Sequence, residues 1–277
     1  MTLVTELERT AFRDDGVLLM RGFYDVPTAI TPILEGIRQI IELLCIKYRV
    51  EAPTHTPLQA MTEGFMALIQ RNRAYGGEVY DAVKQIPAFM QLVSDARNSR
   101  LFRELRSGSI PGLAAGGYGI RIDCPGEAMY RAPWHQEFPA QLRSLDGIVF
   151  WTPLVPIRPS LGPVEVCIGS HREGIVPVRT SLDSEQKGAY ALRLDAEAER
   201  LARYDHQAPL TDPGDLLLMD FLTLHQSGEN SDVFPRWSIQ FRYFNFANPL
   251  GVQISWKGSF AGGEDFRTIL EQADVAI

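Results

Sequence analysis

At Gly116 the hydrophobic pattern of this 277-residue chain changes period, and no other feature constrains its fold as much. Upstream, the spacing is helical. Residues 4 to 14 predict a short helix, Gly16 to Gly22 an apolar strand bracketed by glycines, and Pro27 the start of a long helix. On that helix Ile30, Ile33, Leu34, Ile37, Ile40, Ile41, Leu44, Cys45 and Tyr48 form a broad apolar stripe. Such a stripe has to pack on something, and a sheet is the expected partner. Helical patterns continue over Ala60 to Ala74, Gly77 to Ile86 and Ala88 to Leu105, with breaks expected at Gly76-Gly77 and Pro87.

Downstream the runs are strand-length, rich in β-branched and aromatic residues, and separated by Gly/Pro turns. They are Tyr118 to Asp123, Gly147 to Leu154, Val164 to Ile168, Leu216 to Asp220 and Arg236 to Phe246. Several short strands behind a helical segment predict a mainly β fold with flanking helices, a jelly roll whose helical N-terminal third packs on one sheet. At 45% hydrophobic the chain can bury one large core. We expect one domain over residues 1–277, with 1–115 mostly helical support and 116–256 the jelly-roll core. A polar insertion at 181–207, with a helix expected over Asp195 to Tyr204, is either a lid or a solvated excursion.

Charge narrows the function classes. A net charge of -7 and a pI near 5.3 argue against nucleic acid as a partner, because such binders need a basic face to displace counterions. Cys45, Cys124 and Cys167 are odd in number and lack a CxxC pair, so neither a disulfide framework nor a zinc site is expected, which fits a cytoplasmic location. The first residues lack a basic region followed by an apolar run, and no apolar stretch approaches membrane-spanning length, so no membrane insertion is expected. Nothing in the sequence sets an oligomeric state.

The chemistry-bearing stretch is Trp134-His135-Gln136-Glu137, together with a distant histidine in Leu224-His225-Gln226-Ser227. A histidine and a carboxylate two residues apart on extended backbone point to one face. A histidine from a facing strand completes three ligands. Two histidines and one carboxylate leave three adjacent positions of an octahedral Fe(II) open for a co-substrate and dioxygen. Eleven residues after His225 comes Arg236, whose planar cation can grip the carboxylate of an oxo-acid co-substrate in two prongs. The His-x-Glu pattern alone is weak: five histidines among 34 acidic residues give roughly half a match by chance, and His171-Arg172-Glu173 is a second one. Context favours His135, because His171 lies between two glycines that mark a turn.

Four motifs in order resemble the phytanoyl-CoA dioxygenase family of Fe(II)- and 2-oxoglutarate-dependent oxygenases. They are Phe12-Arg13-Asp14-Asp15-Gly16-Val17-Leu18-Leu19, the Trp134 to Glu137 element, the turn Ile168 to Gly174, and Gly214-Asp215-Leu216 through His225, Ser227 and Asn230 to Arg236. The resemblance implies a double-stranded β-helix of the cupin-like, jelly-roll type. It implies Fe(II) on His135, Glu137 and His225, and 2-oxoglutarate with its distal carboxylate on Arg236 and Ser227. The implied activity couples conversion of 2-oxoglutarate to succinate and CO2 with hydroxylation of an unactivated C–H bond of a small molecule. The family usually has aspartate where this chain has Glu137. Relatives that halogenate lack the carboxylate altogether, so Glu137 points to hydroxylation. Asn230 is expected to shape a turn.

The strand Arg236 to Tyr243 hints at the substrate. Alternation sends Arg236, Ser238, Gln240 and Arg242 to one face and Trp237, Ile239, Phe241 and Tyr243 to the other. If Arg236 faces the interior, so do Gln240 and Arg242, and Arg121 on an earlier strand can join them. Buried cations demand anionic partners. These are either a polar or acidic small substrate or structural acids such as Asp123 and Asp146. Trp151 and Trp134 are candidates to wall a cavity, although strand aromatics are more often core. His55 reads as an exposed loop residue, and His206 as a secondary candidate for reaching a substrate. Three other outcomes fit the same residues. The iron chemistry can end in desaturation, epimerisation or cyclisation, the jelly roll can be a non-catalytic metal-binding module, or the three ligands can hold zinc in a hydrolase.

Overall fold

The structure is a computed structural model of the chain and describes residues 2–180, 192–258 and 266–272. Helix α1 (Glu6–Asp15) starts with a reciprocal cap, in which the Thr5 hydroxyl accepts from the Glu8 N–H while the Glu8 carboxylate accepts from the Thr5 N–H. Gly16 ends it in the left-handed region (φ 72°), where the His171 ring packs too close to admit a Cβ. Strand β1 (Val17–Met20) follows, then a π-helical turn at Val26–Ile30 that leads into α2 (Thr31–Tyr48).

On α2 the buried residues are Ile33, Ile37, Ile41 and Cys45, spaced by four. Their partner is not the expected sheet. The stripe packs on other helices, with Ile86 against Gly36 and Gly64 against Ile41. Those helices are α3 (Pro57–Gln59), a π-helical turn at Ala60–Gly64, α4 (Phe65–Arg71), α5 (Arg73–Val83), α6 (Pro87–Val93) and α7 (Ala96–Leu105). Nor does Gly76-Gly77 break the chain, since α5 runs through both glycines. The break falls at Asn72, which is extended (φ -162°) and caps α5 by accepting from the Ala74 N–H. A capping side chain offers the backbone an alternative to the helix, whereas glycine only weakens a helix whose hydrogen bonds stay intact.

The strands are β2 (Pro111–Leu113), β3 (Gly119–Asp123), β4 (Gly147–Pro153), β5 (Val164–Cys167), β6 (Val178–Thr180), β7 (Leu192–Leu194), β8 (His206–Gln207), β9 (Leu216–Asp220), β10 (His225–Ser227) and β11 (Arg236–Asn245). Five of them join β1 in a six-stranded antiparallel sheet, in the order β1-β9-β4-β11-β2 with β3 also on β11. On one side β11 pairs with β4, and on the other it pairs first with β3 and then with β2. A smaller sheet runs β10-β5-β8, and β6 pairs with β7. The fold is the expected jelly roll with helices on one sheet. Residues 181–191 of the insertion lie outside the described residues, and its helix is shorter than expected, Glu197–Leu201.

The outer face of the large sheet carries Trp237, Ile239, Phe241 and Tyr243, all buried. Helices cover it through named contacts. The Trp237 ring meets Phe65 edge-on at 5.1 Å, and its Nε1–H donates to the Met61 carbonyl at 2.9 Å. The Tyr243 hydroxyl donates to the Val93 carbonyl at 3.1 Å. The helical third therefore grips the sheet through the Ala60–Gly64 turn, α4 and α6, with α2 packed mainly on that turn and on α5. Trp237→Ala is expected to cost about 3–5 kcal/mol of unfolding free energy, the range for an emptied aromatic core site. Urea denaturation reads this as a lower midpoint, with Trp237→Phe falling in between.

Candidate metal centre

Extended backbone at Gln136 (φ -99°, ψ 150°) puts His135 and Glu137 on one side of the chain, as their spacing requires. Glu137 opens a short turn, α8 (Glu137–Ala140), and its N–H donates to the Phe221 carbonyl at 2.8 Å. The Gln136 side chain points the other way and ties the segment down, donating to the Gly174 and Leu222 carbonyls and accepting from the Val176 N–H. His135 sits outside any named strand, yet it forms an antiparallel bridge with His225, each N–H donating to the other's carbonyl at 3.0 Å. That bridge brings the two rings to 4.2 Å between centroids.

Ligand atoms of His135, Glu137 and His225 all lie within 4.8 Å of one another. Ring orientation is set behind them. His135 Nδ1 is 2.7 Å from the Pro133 carbonyl and His225 Nδ1 is 2.9 Å from the Thr223 carbonyl. A carbonyl can only accept, so both Nδ1 atoms carry the proton and both Nε2 lone pairs face the shared space. Burial lowers the pKa of both histidines, and that of His225 falls to about 3. Burial pushes the Glu137 carboxyl up, but the Arg242 guanidinium beside it holds the group below its ordinary value. Two neutral imidazoles and one carboxylate are the protonation states a divalent cation needs.

Three arginines stand around this trio. Arg242 grips Glu137 with both prongs, Nε to Oε1 at 2.8 Å and Nη2 to Oε2 at 3.2 Å. Arg121 and Arg236 share Asp123, with Arg236 Nη2 at 2.8 Å from Oδ2. Between them they hold the Asp123 carboxyl low against the upward push of burial. Arg236 is fully buried, and its Nε and Nη1 have no partner among the described residues; the Ser238 hydroxyl on the same strand face is likewise buried and unpartnered. Orphaned buried donors are costly unless a ligand oxygen meets them. A carboxylate fits there, so the residues present suit 2-oxoglutarate.

A chamber of about 60 Å3 between the two sheets is lined by His135, His225, Ser227, Arg121, Trp151, Gln240 and Arg242. Seven of the nine residues singled out in the sequence thus line one space; Glu137 and Arg236 are buried behind it, Glu137 held by the lining Arg242 and Arg236 sharing Asp123 with the lining Arg121. The acids foreseen as partners for the arginines are part right. Arg121 takes Asp123, but Arg242 takes Glu137, and Asp146 pairs with Arg106. Asn230 does shape its turn, donating to the Asp123 and Phe234 carbonyls and accepting from the Asp232 N–H. His171 lies in a 3-10 turn against the Arg13 carbonyl, away from the trio. His206 packs its ring on Trp134, and neither lines the chamber.

This fold and site define a 2-oxoglutarate-dependent non-heme iron oxygenase, using iron, 2-oxoglutarate and dioxygen. The chain belongs to the phytanoyl-CoA dioxygenase (PhyH) family, which it matches over residues 12–237. Among solved structures it is similar in fold to EctD from S. alaskensis, determined with 2-oxoglutarate and 5-hydroxyectoine (18% identity, TM-score 0.58, covering 89% of this chain and 78% of that one). It is similar also to the non-heme α-ketoglutarate-dependent carbocyclase SnoK from nogalamycin biosynthesis (15%, 0.55, 88% and 85%). A third is AviO1 from Streptomyces viridochromogenes Tue57 (19%, 0.55, 90% and 98%). No curated protein sequence matches the chain. No helix among the described residues is long and apolar enough to cross a membrane.

Stability should respond to pH through the two histidines. In the unfolded chain they take up protons below about pH 6.5, whereas the folded chain keeps them neutral, so the unfolded state binds more protons and stability falls with pH. Glu137 and Asp123, whose pKa values are lowered, add their loss only below about pH 4.5. Metal-free protein should therefore unfold at lower urea at pH 5 than at pH 7. A midpoint that is flat or rises towards pH 5 contradicts buried neutral imidazoles.

Proposed function

We propose that His135, Glu137 and His225 hold the iron, that Arg236 and Ser227 hold the distal carboxylate of 2-oxoglutarate, and that the enzyme hydroxylates an unactivated C–H bond of a small molecule carrying a polar or acidic group. The observation that carries this is the buried Arg236, two of whose nitrogens lack an acceptor among the described residues, on the same strand as Gln240 and Arg242, which line the chamber with His135 and His225. Iron with 2-oxoglutarate and dioxygen supplies the oxidising power, ending in succinate and CO2. This chain's residues do the rest. Arg236 fixes one end of the co-substrate in a dry wall, where a charge-assisted pair is stronger than in water. Trp151 and Val149 exclude water from the large-sheet side. Arg121 and Gln240, at the rim, orient the substrate.

Charge supports the polar or acidic group. Arg121, Arg236 and Arg242 face Asp123 and Glu137, which leaves the wall one positive charge in excess. A dianionic co-substrate and a divalent cation cancel each other, so that excess remains for the substrate to meet. Residues 1–277 act as one oxygenase domain in this reading, and the buried, free cysteines suit a reducing cytoplasm.

The test is an anaerobic titration of metal-free protein with Fe(II) and 2-oxoglutarate, following the visible charge-transfer band of the chelate. Wild type should develop the band. Arg236→Ala should still bind metal but need far more 2-oxoglutarate, and Glu137→Ala should lose metal affinity. Iron binding by wild type with no band sinks the reading and favours a zinc hydrolase or a binding module. Arg242→Met, which frees Glu137 from its clamp, should weaken divalent-metal binding about 10–100-fold, the usual effect of losing a group that orients a metal ligand.

A further inference from the structure

The inner chamber, at about 60 Å3, is small beside the ~300–1,000 Å3 of pockets that hold drug-sized ligands. It has no room for a co-substrate and a substrate together. A second cavity of about 340 Å3 adjoins it, and Arg121 and Gln240 line both. This outer cavity lies between α5 and the edge strand β3, with Phe65, Tyr80 and Tyr130 as aromatic walls.

One face of α5 makes it. Arg73, Gly76, Gly77 and Tyr80 follow the i, i+3, i+4, i+7 spacing of a helix face, and all four line the cavity. Such a face normally fills the space beside it with side chains. Here two of the four positions have none. Gly76 has a packing reason, because a Cβ there would collide with Ile69 and Arg73. Gly77 has no such reason, since a Cβ would meet nothing within 4 Å. A glycine inside a helix weakens it, and this one, which no neighbour requires, leaves open space on the cavity side of α5.

The polar features of the cavity are specific. Among the described residues the half-buried Gln240 amide has no hydrogen-bond partner, and it stands where the two cavities meet. Both arginines have an acidic partner, Arg73 in Glu127 and Arg121 in the Asp123 that it shares with Arg236. Arg73 also lies over the Tyr130 ring at 4.9 Å, which fixes one wall.

Resting on the oxygenase reading above, we propose that this outer cavity is the substrate site. It takes a flat, ring-bearing molecule whose body lies on the Gly76-Gly77 backbone between Phe65, Tyr80 and Tyr130. One hydroxyl, carbonyl or carboxylate of that molecule meets Gln240 and points the adjoining carbon at the inner chamber. Gly77 sets the size of ring admitted, and Gln240 reads the polar group.

Ligand-observed NMR on the full chain with Fe(II) and 2-oxoglutarate, under anaerobic conditions, tests this with a mixed panel of ring fragments and acyclic acids and alcohols. The same samples report the charge-transfer band, so loss of the co-substrate site is read separately from loss of the substrate site. The expected hits are ring fragments bearing one polar group. Gly77→Phe, which fills the cavity, should weaken them about tenfold or more with the band unchanged, as overfilling a preformed space does. Gln240→Leu should weaken them up to about tenfold, the worth of one hydrogen bond, and spare the fragments' unsubstituted analogues. Gly77→Ala keeps the helix and should bind nearly as wild type, which separates filling from misfolding. The proposal is overturned if the hits are acyclic, if no fragment binds, or if ring fragments bind Gly77→Phe as they bind wild type.

Discussion

Strand β11 has to satisfy two incompatible environments at once, and the rest of the molecule is arranged so that it can. One of its faces carries Arg236, Ser238, Gln240 and Arg242, the other Trp237, Ile239, Phe241 and Tyr243. A guanidinium with no exposure is tolerable only where acceptors reach it, and an aromatic row only where apolar surface covers it. The register therefore cannot slip by one residue, because a slip would drive both arginines into the helical layer and Trp237 into the chamber. Pairing fixes it from both sides, with Asp123 opposite Arg236 on β3 and Trp151 opposite Gln240 on β4. The carboxylate that neutralises the arginine is thus delivered by the same ladder that holds the strand.

The same economy governs the histidines. Neither ring is aimed by a dedicated side chain. Each Nδ1–H finds the carbonyl of the residue two positions earlier, and the bridge between the two backbones sets their separation. A site built from backbone geometry is preorganised wherever the fold is formed, which is what binding a metal at low reorganisation requires. It also explains the anchoring of Gln136, whose three hydrogen bonds pin the residue between the two ligands.

What could be seen in the sequence follows from range. The large-sheet strands were legible because alternation and glycine punctuation are local signals, and Leu216 to Asp220 coincides with β9 residue for residue. The His135–Glu137 pair was legible because a two-residue spacing needs only extended backbone at Gln136. Three-residue β2 and β10 carry too few positions to show a period. The stripe on α2 announced that it would be buried without saying against what, and helices rather than the sheet proved to be its partner. Gly76-Gly77 looked like punctuation because propensity favours a break there, yet packing of Gly76 against Ile69 and Phe65 keeps α5 continuous. The pairing of Arg242 with Glu137, 105 residues apart, has no local signature at all.

That pairing bears on the one departure from the family pattern. Both Glu137 oxygens accept from Arg242, Oε1 from Nε at 2.8 Å and Oε2 from Nη2 at 3.2 Å, and Oε2 also lies 3.8 Å from His225 Nε2, so the carboxylate serves two directions. Aspartate is shorter by one methylene, about 1.5 Å of reach. With the Glu137 N–H fixed to the Phe221 carbonyl, the backbone cannot advance to make up that difference. A shorter carboxylate could keep the arginine or the space between the histidines, but not both. The longer side chain and the arginine on β11 are therefore two halves of one device. The clamp fixes the carboxylate rotamer that glutamate's extra torsion would otherwise leave free, and it restores the rigidity that aspartate has by being short.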